Sequence, residues 1–152
     1  MYRHRPAACN SALITLRCNM ASIFTRIIQG DIPAYKIAED DHFIAFLDVF
    51  PLVPGHVLVV PKQETDKLFD LEDEFLREIL LFAKPIAAAI EKAMPCTRCG
   101  MSVIGLEVPH AHMHLVPISS ADDLNFTRPK LTIEPEKMAQ IAQQIRSCLS
   151  VA

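Results

Sequence analysis

Short apolar runs, each ended by turn-forming residues, predict five strands along the chain. The runs are rich in β-branched and aromatic residues and are too short for helices. Glycine, proline and aspartate separate them, and several connections have hairpin length, which favours an antiparallel sheet. The predicted strands cover residues 35–39, 43–48, 56–60, 101–104 and 111–118.

Two longer stretches carry apolar residues at helical spacing instead. The first runs from about Leu71 to Met94, with Asp70 as its predicted N-cap and Pro85 as a predicted kink. The second begins at Pro135, because proline is favoured at the first position of a helix. With the strands, these helices predict an α+β fold. Their inward-facing positions are Leu76, Ile79, Leu80, Ala83, Ile86, Ala87 and Ile90 in the first helix and Met138, Ile141, Ala142 and Ile145 in the second.

The composition is that of one globular domain. The chain has 152 residues, of which 51% are hydrophobic and 22% are charged, close to the averages for folded domains. No apolar run reaches the roughly 18 residues that a membrane-spanning helix needs. The net charge of −3 at pH 7 provides no excess of positive charge for a long nucleic acid. We therefore expect neither a membrane nor a nucleic acid as a partner.

The cysteines favour a reducing compartment, and hence a cytoplasmic location. There are five of them, an odd number, in a chain large enough to build a core without disulfides. Cys96 and Cys99 form a lone C-x-x-C pair, which lacks the second pair or the spaced histidines of a zinc motif. A plain turn is therefore favoured over a redox or metal role for this pair.

Residues 1–20 differ in charge from the rest of the chain. They contain arginines and no acidic residue, as organelle transit peptides do. A second methionine, Met20, opens directly onto the first orderly apolar segment, so a disordered or mis-started extension is the favoured interpretation. The predicted organisation is this extension, a domain over residues 21–128 and a C-terminal helical segment over residues 129–152.

Three histidines at alternate positions are the most informative feature of the sequence. His110, His112 and His114 are half of the six histidines in the chain. On a strand they would point to one side, while the apolar residues between them would point to the core. Ordinary packing rarely places three imidazoles in a row, so the pattern predicts a functional site.

Two kinds of chemistry need such a row of imidazoles. His-x-His on a strand can supply two zinc ligands. Alternatively, one neutral imidazole attacks a phosphorus atom while its neighbours donate hydrogen bonds and positive charge to the phosphoryl oxygens. The second interpretation explains more, because it also uses His56, which follows a Pro-Gly loop at the start of a strand.

The stretch from His110 to Val116 resembles the His-φ-His-φ-His-φ-φ signature, where φ is apolar, of the histidine triad (HIT) nucleotide-binding hydrolases. The similarity favours the nucleoside phosphoramidase, or Hint-like, branch and extends over about Ser22 to Ile118. The other segments in the order and spacing of the family are Ile23-Phe24, Ile32-Pro33, Glu39-Asp40-Asp41, Phe46-Leu47-Asp48, Pro51, Gly55-His56 and Leu58-Val59-Val60-Pro61-Lys62.

This resemblance implies a HIT-like fold with a five-stranded antiparallel sheet and two main helices, usually paired as a homodimer. It also assigns roles to the polar residues. His112 falls on the nucleophile that is transiently nucleotidylated, and His110 and His114 flank it, with His114 as a donor to a phosphate oxygen. His56 completes the cluster. Asp48 falls on the carboxylate that holds the ribose hydroxyls.

The resemblance further implies an apolar wall around a purine base. The residues that match this wall are Phe24, Ile27, Phe46 and Val49, each of which would serve equally well as ordinary core. Two departures from the family are informative. Ser22 and Thr25 occupy the region of the cysteine pair that binds zinc in one branch, so no metal is expected. Glu107 stands next to the triad, where the phosphoramidase branch carries a serine; a position on the leaving-group side and a solvated carboxylate at the rim both stay open for it.

The sequence therefore predicts a hydrolase that cleaves a nucleoside 5′-monophosphate from an amine or similar leaving group, through a covalent nucleotidyl-histidine and without a cofactor. Its expected partner is a purine nucleotide or nucleotide conjugate. Three alternatives stay open: a dinucleoside polyphosphate hydrolase or nucleotidyltransferase acting at P–O–P bonds, a non-catalytic purine nucleotide sensor, and a zinc enzyme with the triad as ligands.

Overall fold

A five-stranded antiparallel sheet with the strand order β1-β2-β3-β5-β4 forms the centre of the fold. The structure, a computed structural model, describes residues 21–149; the predicted extension over residues 1–20 lies outside this range. The elements in chain order are α1 (Ile23–Ile28), β1 (Lys36–Glu39), β2 (Phe43–Leu47), β3 (Val57–Pro61), a 3₁₀ turn (Leu68–Asp70), α2 (Asp73–Ala93), β4 (Arg98–Ser102), β5 (Met113–Ile118), a second 3₁₀ turn (Ala121–Leu124) and α3 (Pro135–Cys148). The α+β prediction is confirmed.

The central strands β2, β3 and β5 are buried on both faces of the sheet. Alternate residues of β2 and β3 belong to two separate apolar clusters, as the two-residue period of a strand requires. The larger cluster lies between the sheet and the helices α2 and α3, and contains all four predicted inward positions of α3. The smaller cluster lies on the other face, beneath α1, and consists of Phe24, Ile44, Phe46, Leu58 and Val60.

The start of α2 differs from the prediction. Asp70 belongs to the 3₁₀ turn, and Glu72 occupies the N-cap position of α2. Leu71 between them is extended and buried, so packing of this leucine against the core separates the turn from the helix. Leu80 is predicted to face inward but is 50% exposed. The buried face of α2 includes fewer positions than the helix has apolar residues. Pro85 lies inside a helix that continues on both sides of it.

The bounds of β4 and β5 differ from the prediction by more than one residue. β4 covers Arg98–Ser102 and not residues 101–104, so Cys99 lies in a strand. Gly100 permits this placement because it has no side chain. A Cβ atom at this position would lie only 2.9 Å from side-chain atoms of Ile118 and Leu124, which is too close.

β5 begins at Met113. His110 and His112 therefore precede the strand. Between them, the Ala111 amide donates to the Thr65 carbonyl at 2.6 Å. Among residues 21–149, no helix is long and apolar enough to span a membrane.

Candidate active site

The four histidines singled out in the sequence converge on the face of the sheet that carries α1. His56 immediately precedes β3, and His114 lies on β5 directly opposite Leu58, a member of the smaller cluster. All four side chains are buried: His56 and His110 are 0% exposed, and His112 and His114 are 7% exposed. Gly55 turns the chain into β3 with a φ of 90°, a conformation that favours glycine.

A hydrogen-bond relay fixes the proton positions of two of these imidazoles. The Leu52 amide donates to Nδ1 of His56 at 3.2 Å, so Nε2 of His56 carries its proton. That nitrogen lies 2.9 Å from Nδ1 of His114 and donates to it. His114 therefore carries its own proton on Nε2, where it can donate to a ligand.

The same two imidazoles are uncharged at neutral pH. Burial lowers the pKa of both His56 and His114 to about 3, and nearby positive charge adds to the effect. They consequently offer N–H donors without a net charge. The expectation that these imidazoles supply positive charge to the phosphoryl group is therefore wrong for this pair.

His112 is oriented by the backbone. Its Nδ1 lies 2.7 Å from the carbonyl oxygen of His110 and must donate, because a carbonyl only accepts. The lone pair is therefore on Nε2, as a nucleophile requires. The rings of Phe24 and His114 pack against it, with centroids 5.1 Å and 4.8 Å away, and hold this orientation.

His110 uses both ring nitrogens within the protein. Nε2 donates to the Pro61 carbonyl at 2.8 Å, so Nδ1 accepts from the Ser22 hydroxyl at 2.7 Å. Ser22 in turn accepts from the Thr25 amide, and the Thr25 hydroxyl donates to Glu64 at 2.7 Å. His110 is therefore a fixed support whose carbonyl orients His112.

Asp48 ends β2 beside the histidine relay. Its Oδ1 accepts from the Phe50 amide at 2.9 Å, and its Oδ2 lies 3.7 Å from Nδ1 of His56. Burial raises the pKa of this carboxyl group, and the charge of Lys130 partly opposes the shift. Within residues 21–149, Oδ2 accepts no backbone hydrogen bond and is available to accept hydrogen bonds from a ligand.

The predicted base-binding residues separate into two groups. Phe24, Ile27 and Phe46 belong to or pack against the smaller cluster, and the rings of Phe24 and Phe46 lie 5.7 Å apart. Val49 is 52% exposed and lies outside that cluster. Glu107 is exposed within the bend over residues 106–110, so strand alternation does not determine where it points.

Sequence reasoning missed two residues beside the histidines. The Phe126 ring packs on His114 with centroids 4.8 Å apart and lies 6.4 Å from His56. The Lys130 amine lies 4.7 Å from the centre of the Phe126 ring. These residues lie between the last strand and the last helix and follow no periodic pattern, so only an aromatic residue and a lysine four positions apart could have drawn attention to them.

The donor atoms of Asp48, His56 and His114 lie within 4.8 Å of one another and could approach a metal ion. However, His56 and His114 point ring nitrogens at each other across a hydrogen bond, which a metal would have to break. The cysteine pair is poorly suited to metal or redox chemistry, because burial raises the pKa of Cys99 to about 12 and that of Cys96 above its usual range.

The family model for the HIT domain matches residues 29–121, which include Asp48, His56 and the three triad histidines. The chain belongs to the HIT family. The match leaves Ser22, Phe126 and Lys130 outside its bounds.

HIT relatives match along most of this chain. An uncharacterized HIT-like protein of Borreliella burgdorferi is 36% identical over 131 residues, covering 81% of this chain and 94% of that protein. The adenosine 5′-monophosphoramidase of Schizosaccharomyces pombe is 33% identical over 130 residues, covering 84% and 98%. The crystal structure of a Hit-like protein from Bartonella henselae, 30% identical, superposes with a TM-score of 0.74 over 86% of this chain and 98% of that one. The five-stranded HIT fold is thus confirmed.

Proposed function

We propose that this HIT protein hydrolyses a nucleoside 5′-monophosphate conjugate through a covalent nucleotidyl-His112. The observation that carries the proposal is the hydrogen bond from Nδ1 of His112 to the His110 carbonyl, which leaves the Nε2 lone pair available. The similarity to the adenosine 5′-monophosphoramidase of Schizosaccharomyces pombe supports an amine as the leaving group.

In the first step, Nε2 of His112 attacks the α-phosphorus. A P–N bond forms to His112 as the bond to the leaving group breaks, and the departing nitrogen takes up a proton. In the second step, water attacks the phosphorus of this intermediate and gives up a proton to the solvent, which balances the proton taken up by the departing nitrogen. The P–N bond to His112 breaks, and a nucleoside 5′-monophosphate is released. Two displacements thereby replace one more difficult displacement.

The neighbouring residues stabilise the charge that develops on the phosphoryl oxygens. His114 carries its proton on Nε2, and this N–H can donate a hydrogen bond to a non-bridging oxygen as that oxygen gains charge. His56 fixes this tautomer, and His110 supplies the carbonyl that orients His112. The chain's own residues thus provide a nucleophile and an oxyanion donor, and we propose a reaction that needs no metal.

The remaining predicted contacts concern the nucleoside. We propose that Asp48 accepts hydrogen bonds from the ribose hydroxyls, because Oδ2 is left over when Oδ1 accepts from the Phe50 amide. Phe24, Ile27 and Phe46 would form the apolar wall for a purine base, with Val49 at its exposed rim. Glu107, also exposed, would lie on the side of the leaving group.

We also propose a homodimer and a cytoplasmic location. β4 is an edge strand of the sheet, and Met101, Val103 and Ile104 on or just after it are exposed apolar residues, which favours pairing with a second copy. The described cysteines Cys96, Cys99 and Cys148 are free thiols, which suits a reducing compartment.

The decisive experiment measures turnover of adenosine 5′-phosphoramidate by the wild type and by His112→Ala. We expect turnover in the wild type and a loss of at least roughly a thousandfold in the variant, because a nucleophile has no substitute. His42→Ala is the matched control, since this exposed histidine contacts Phe75 edge-to-face, and Phe75 packs against the larger cluster on the other face of the sheet. Turnover retained in His112→Ala would overturn the covalent mechanism.

Binding of AMP to His112→Ala separates this proposal from its alternatives. The variant keeps Asp48 and the apolar wall, so it should bind AMP while it fails to turn over. A wild type that binds AMP and turns over neither the phosphoramidate nor a dinucleoside polyphosphate would instead be a nucleotide sensor.

A further inference from the structure

The segment between β5 and α3 lies against the histidine relay. The Leu131 amide donates to the Pro51 carbonyl at 2.9 Å, which ties the end of this segment to the loop that carries His56. Earlier in the segment, the Phe126 ring lies against the His114 ring, 4.8 Å between centroids. The segment is therefore held against the site at two points.

This segment carries two cations, and they have different surroundings. Arg128 pairs with Asp122 at 3.2 Å and Asp123 at 3.7 Å, so its charge is already neutralised. Lys130 is half-buried and forms no ion pair among residues 21–149. Its amine instead lies over the Phe126 ring, 4.7 Å from the centroid, where a cation–π contact holds it without cancelling its charge.

Two of the four histidines of the site do not supply the positive charge that an anionic ligand needs. His56 and His114 are uncharged near neutral pH. The carboxylate of Asp48, 3.7 Å from His56, brings negative charge to the site. A phosphate brought into such a pocket gains hydrogen bonds but loses hydration, so a nearby cation is needed to offset that cost. The charge of Lys130 is felt at all three of these residues.

We propose that Lys130 is a substrate-binding residue of this site, which contacts the phosphate of the nucleotide and selects phosphorylated nucleosides over unphosphorylated ones. Phe126 positions the lysine, because its ring holds the amine by a cation–π contact and itself packs against His114. This inference rests on the proposed function, because it takes the histidine cluster as the place where the phosphate binds. It adds to the site a residue outside the HIT match over residues 29–121.

The test is calorimetric titration of the full chain with AMP and with adenosine. In Lys130→Gln we expect AMP affinity to fall about tenfold, equivalent to about 1.4 kcal/mol, while adenosine affinity stays the same. Lys130→Arg should recover most of the AMP affinity, because it restores the positive charge. Lys137→Gln, an exposed lysine on α3, is the matched control and should bind both ligands like the wild type.

A second measurement uses salt. AMP binding to the wild type should weaken as sodium chloride is raised, because ions screen the attraction between Lys130 and the phosphate. In Lys130→Gln this dependence should be smaller. A lysine that only packed against Phe126 would change neither the salt dependence nor the preference for AMP over adenosine.

The outcomes separate the two proposals. If the wild type fails to bind AMP, the proposed function falls, and this inference falls with it. If the wild type binds AMP and Lys130→Gln binds it equally well with the same salt dependence, the role of Lys130 is overturned while the proposed function stands. Equal weakening of AMP and adenosine in Lys130→Gln also overturns it, because a structural defect would affect both ligands.

Discussion

Nε2 of His56 donates to Nδ1 of His114 across 2.9 Å, and the Leu52 amide sets the direction of this bond from the far side of the His56 ring. A backbone amide can only donate, so Nδ1 of His56 must accept, and the protons of both rings follow from that constraint. The loop before β3 thereby determines which nitrogen of His114 faces a ligand with a proton.

The first prediction concerns this relay. ¹⁵N NMR of the wild type near neutral pH should show His114 with its proton on Nε2 and His112 with its proton on Nδ1. His56→Leu should lower kcat about tenfold, since His114 loses the donor that fixes its tautomer, a loss of about one net hydrogen bond. A wild-type His114 with its proton on Nδ1 would contradict the relay, whatever the activity of the variant.

The second prediction concerns the support of His110. Ser22→Ala should lower the free energy of unfolding by about 1–3 kcal/mol, because it removes the N-cap of α1 and leaves Nδ1 of the buried His110 facing only the Thr25 hydroxyl, which is 3.5 Å away and donates to Glu64. Ser22→Thr keeps the hydroxyl and should recover most of the loss. Urea unfolding measures both.

Ser147→Ala is the matched control for that measurement. This exposed serine bonds only to the Gln144 carbonyl within α3, so its replacement should change the free energy of unfolding by less than about 0.5 kcal/mol. If Ser22→Ala unfolds like the control, the hydrogen bond to His110 contributes nothing to stability.

The third prediction is a loss of stability in mild acid. In the unfolded chain a histidine takes up a proton near pH 6.5, whereas His56 and His114 in the folded protein do so only near a pKa of about 3. Between these values the unfolded state binds more protons. The contribution of the two neutral histidines to the free energy of unfolding is therefore complete above about pH 6.5 and decreases as the pH drops towards 3.

Urea unfolding at pH 7.5 and pH 5.0 tests this pH dependence. Linkage gives a loss of roughly 2 kcal/mol for each of the two imidazoles over that interval. The loss in free energy of unfolding should be smaller in His56→Gln than in the wild type, by the roughly 2 kcal/mol of one imidazole. In His42→Gln, at an exposed position, the loss should equal that of the wild type. Burial raises the pKa of Asp48, so protonation of this carboxyl group in the folded state acts with the opposite sign and reduces the measured loss. Equal losses in all three proteins would contradict the buried, neutral state of His56.

The fourth prediction is that purified protein carries well under one equivalent of zinc and keeps its turnover in EDTA. Ser22 and Thr25 offer alcohols, which are poor zinc ligands, and both ring nitrogens of His110 are already hydrogen-bonded. A full equivalent of zinc that EDTA removes together with activity would favour the zinc-enzyme alternative.

A double variant serves as the positive control for zinc. Ser22→Cys with Thr25→Cys would place two thiolates beside Nδ1 of His110 and the carboxylate of Glu64, which already meet through the two hydroxyls. Two thiolates, an imidazole and a carboxylate form a set that zinc accepts. We expect this variant to gain about one equivalent of zinc by elemental analysis under conditions in which the wild type does not.

Much of the fold follows from local patterns in the sequence. The strands β2 and β3 alternate between two apolar clusters, and the apolar spacing of α3 marks all four of its core positions. The boundaries that differ depend on tertiary contacts. Leu71 ends the 3₁₀ turn by packing into the core, and β4 begins early because Gly100 fits closely against Ile118 and Leu124.

The site was predictable to a smaller extent. The spacing of the histidines and the family resemblance identify which imidazoles belong together, but the proton on each ring depends on backbone groups that lie elsewhere in the chain, such as the Pro61 carbonyl and the Leu52 amide. Phe126 and Lys130 follow no periodic pattern in the sequence, and a hydrogen bond between Leu131 and Pro51 brings their segment to the site.

The fifth prediction concerns Glu107 and the choice of leaving group. Glu107 is exposed in the bend that leads to His110, where water screens its charge. A carboxylate about 4 Å from a second charge in water interacts by about 1 kcal/mol, which corresponds to about fivefold in rate. We therefore expect Glu107→Gln to shift the ratio of kcat/KM for an AMP-lysine phosphoramidate to that for diadenosine tetraphosphate by about fivefold, towards the tetraphosphate. The direction follows because Glu107 attracts a cationic amine and repels additional phosphates.

Glu136→Gln, which changes an exposed carboxylate in the first turn of α3, is the matched control and should leave the ratio unchanged. A ratio that Glu107→Gln does not move would place Glu107 away from the leaving group, and a shift in favour of the phosphoramidate would reverse its proposed role.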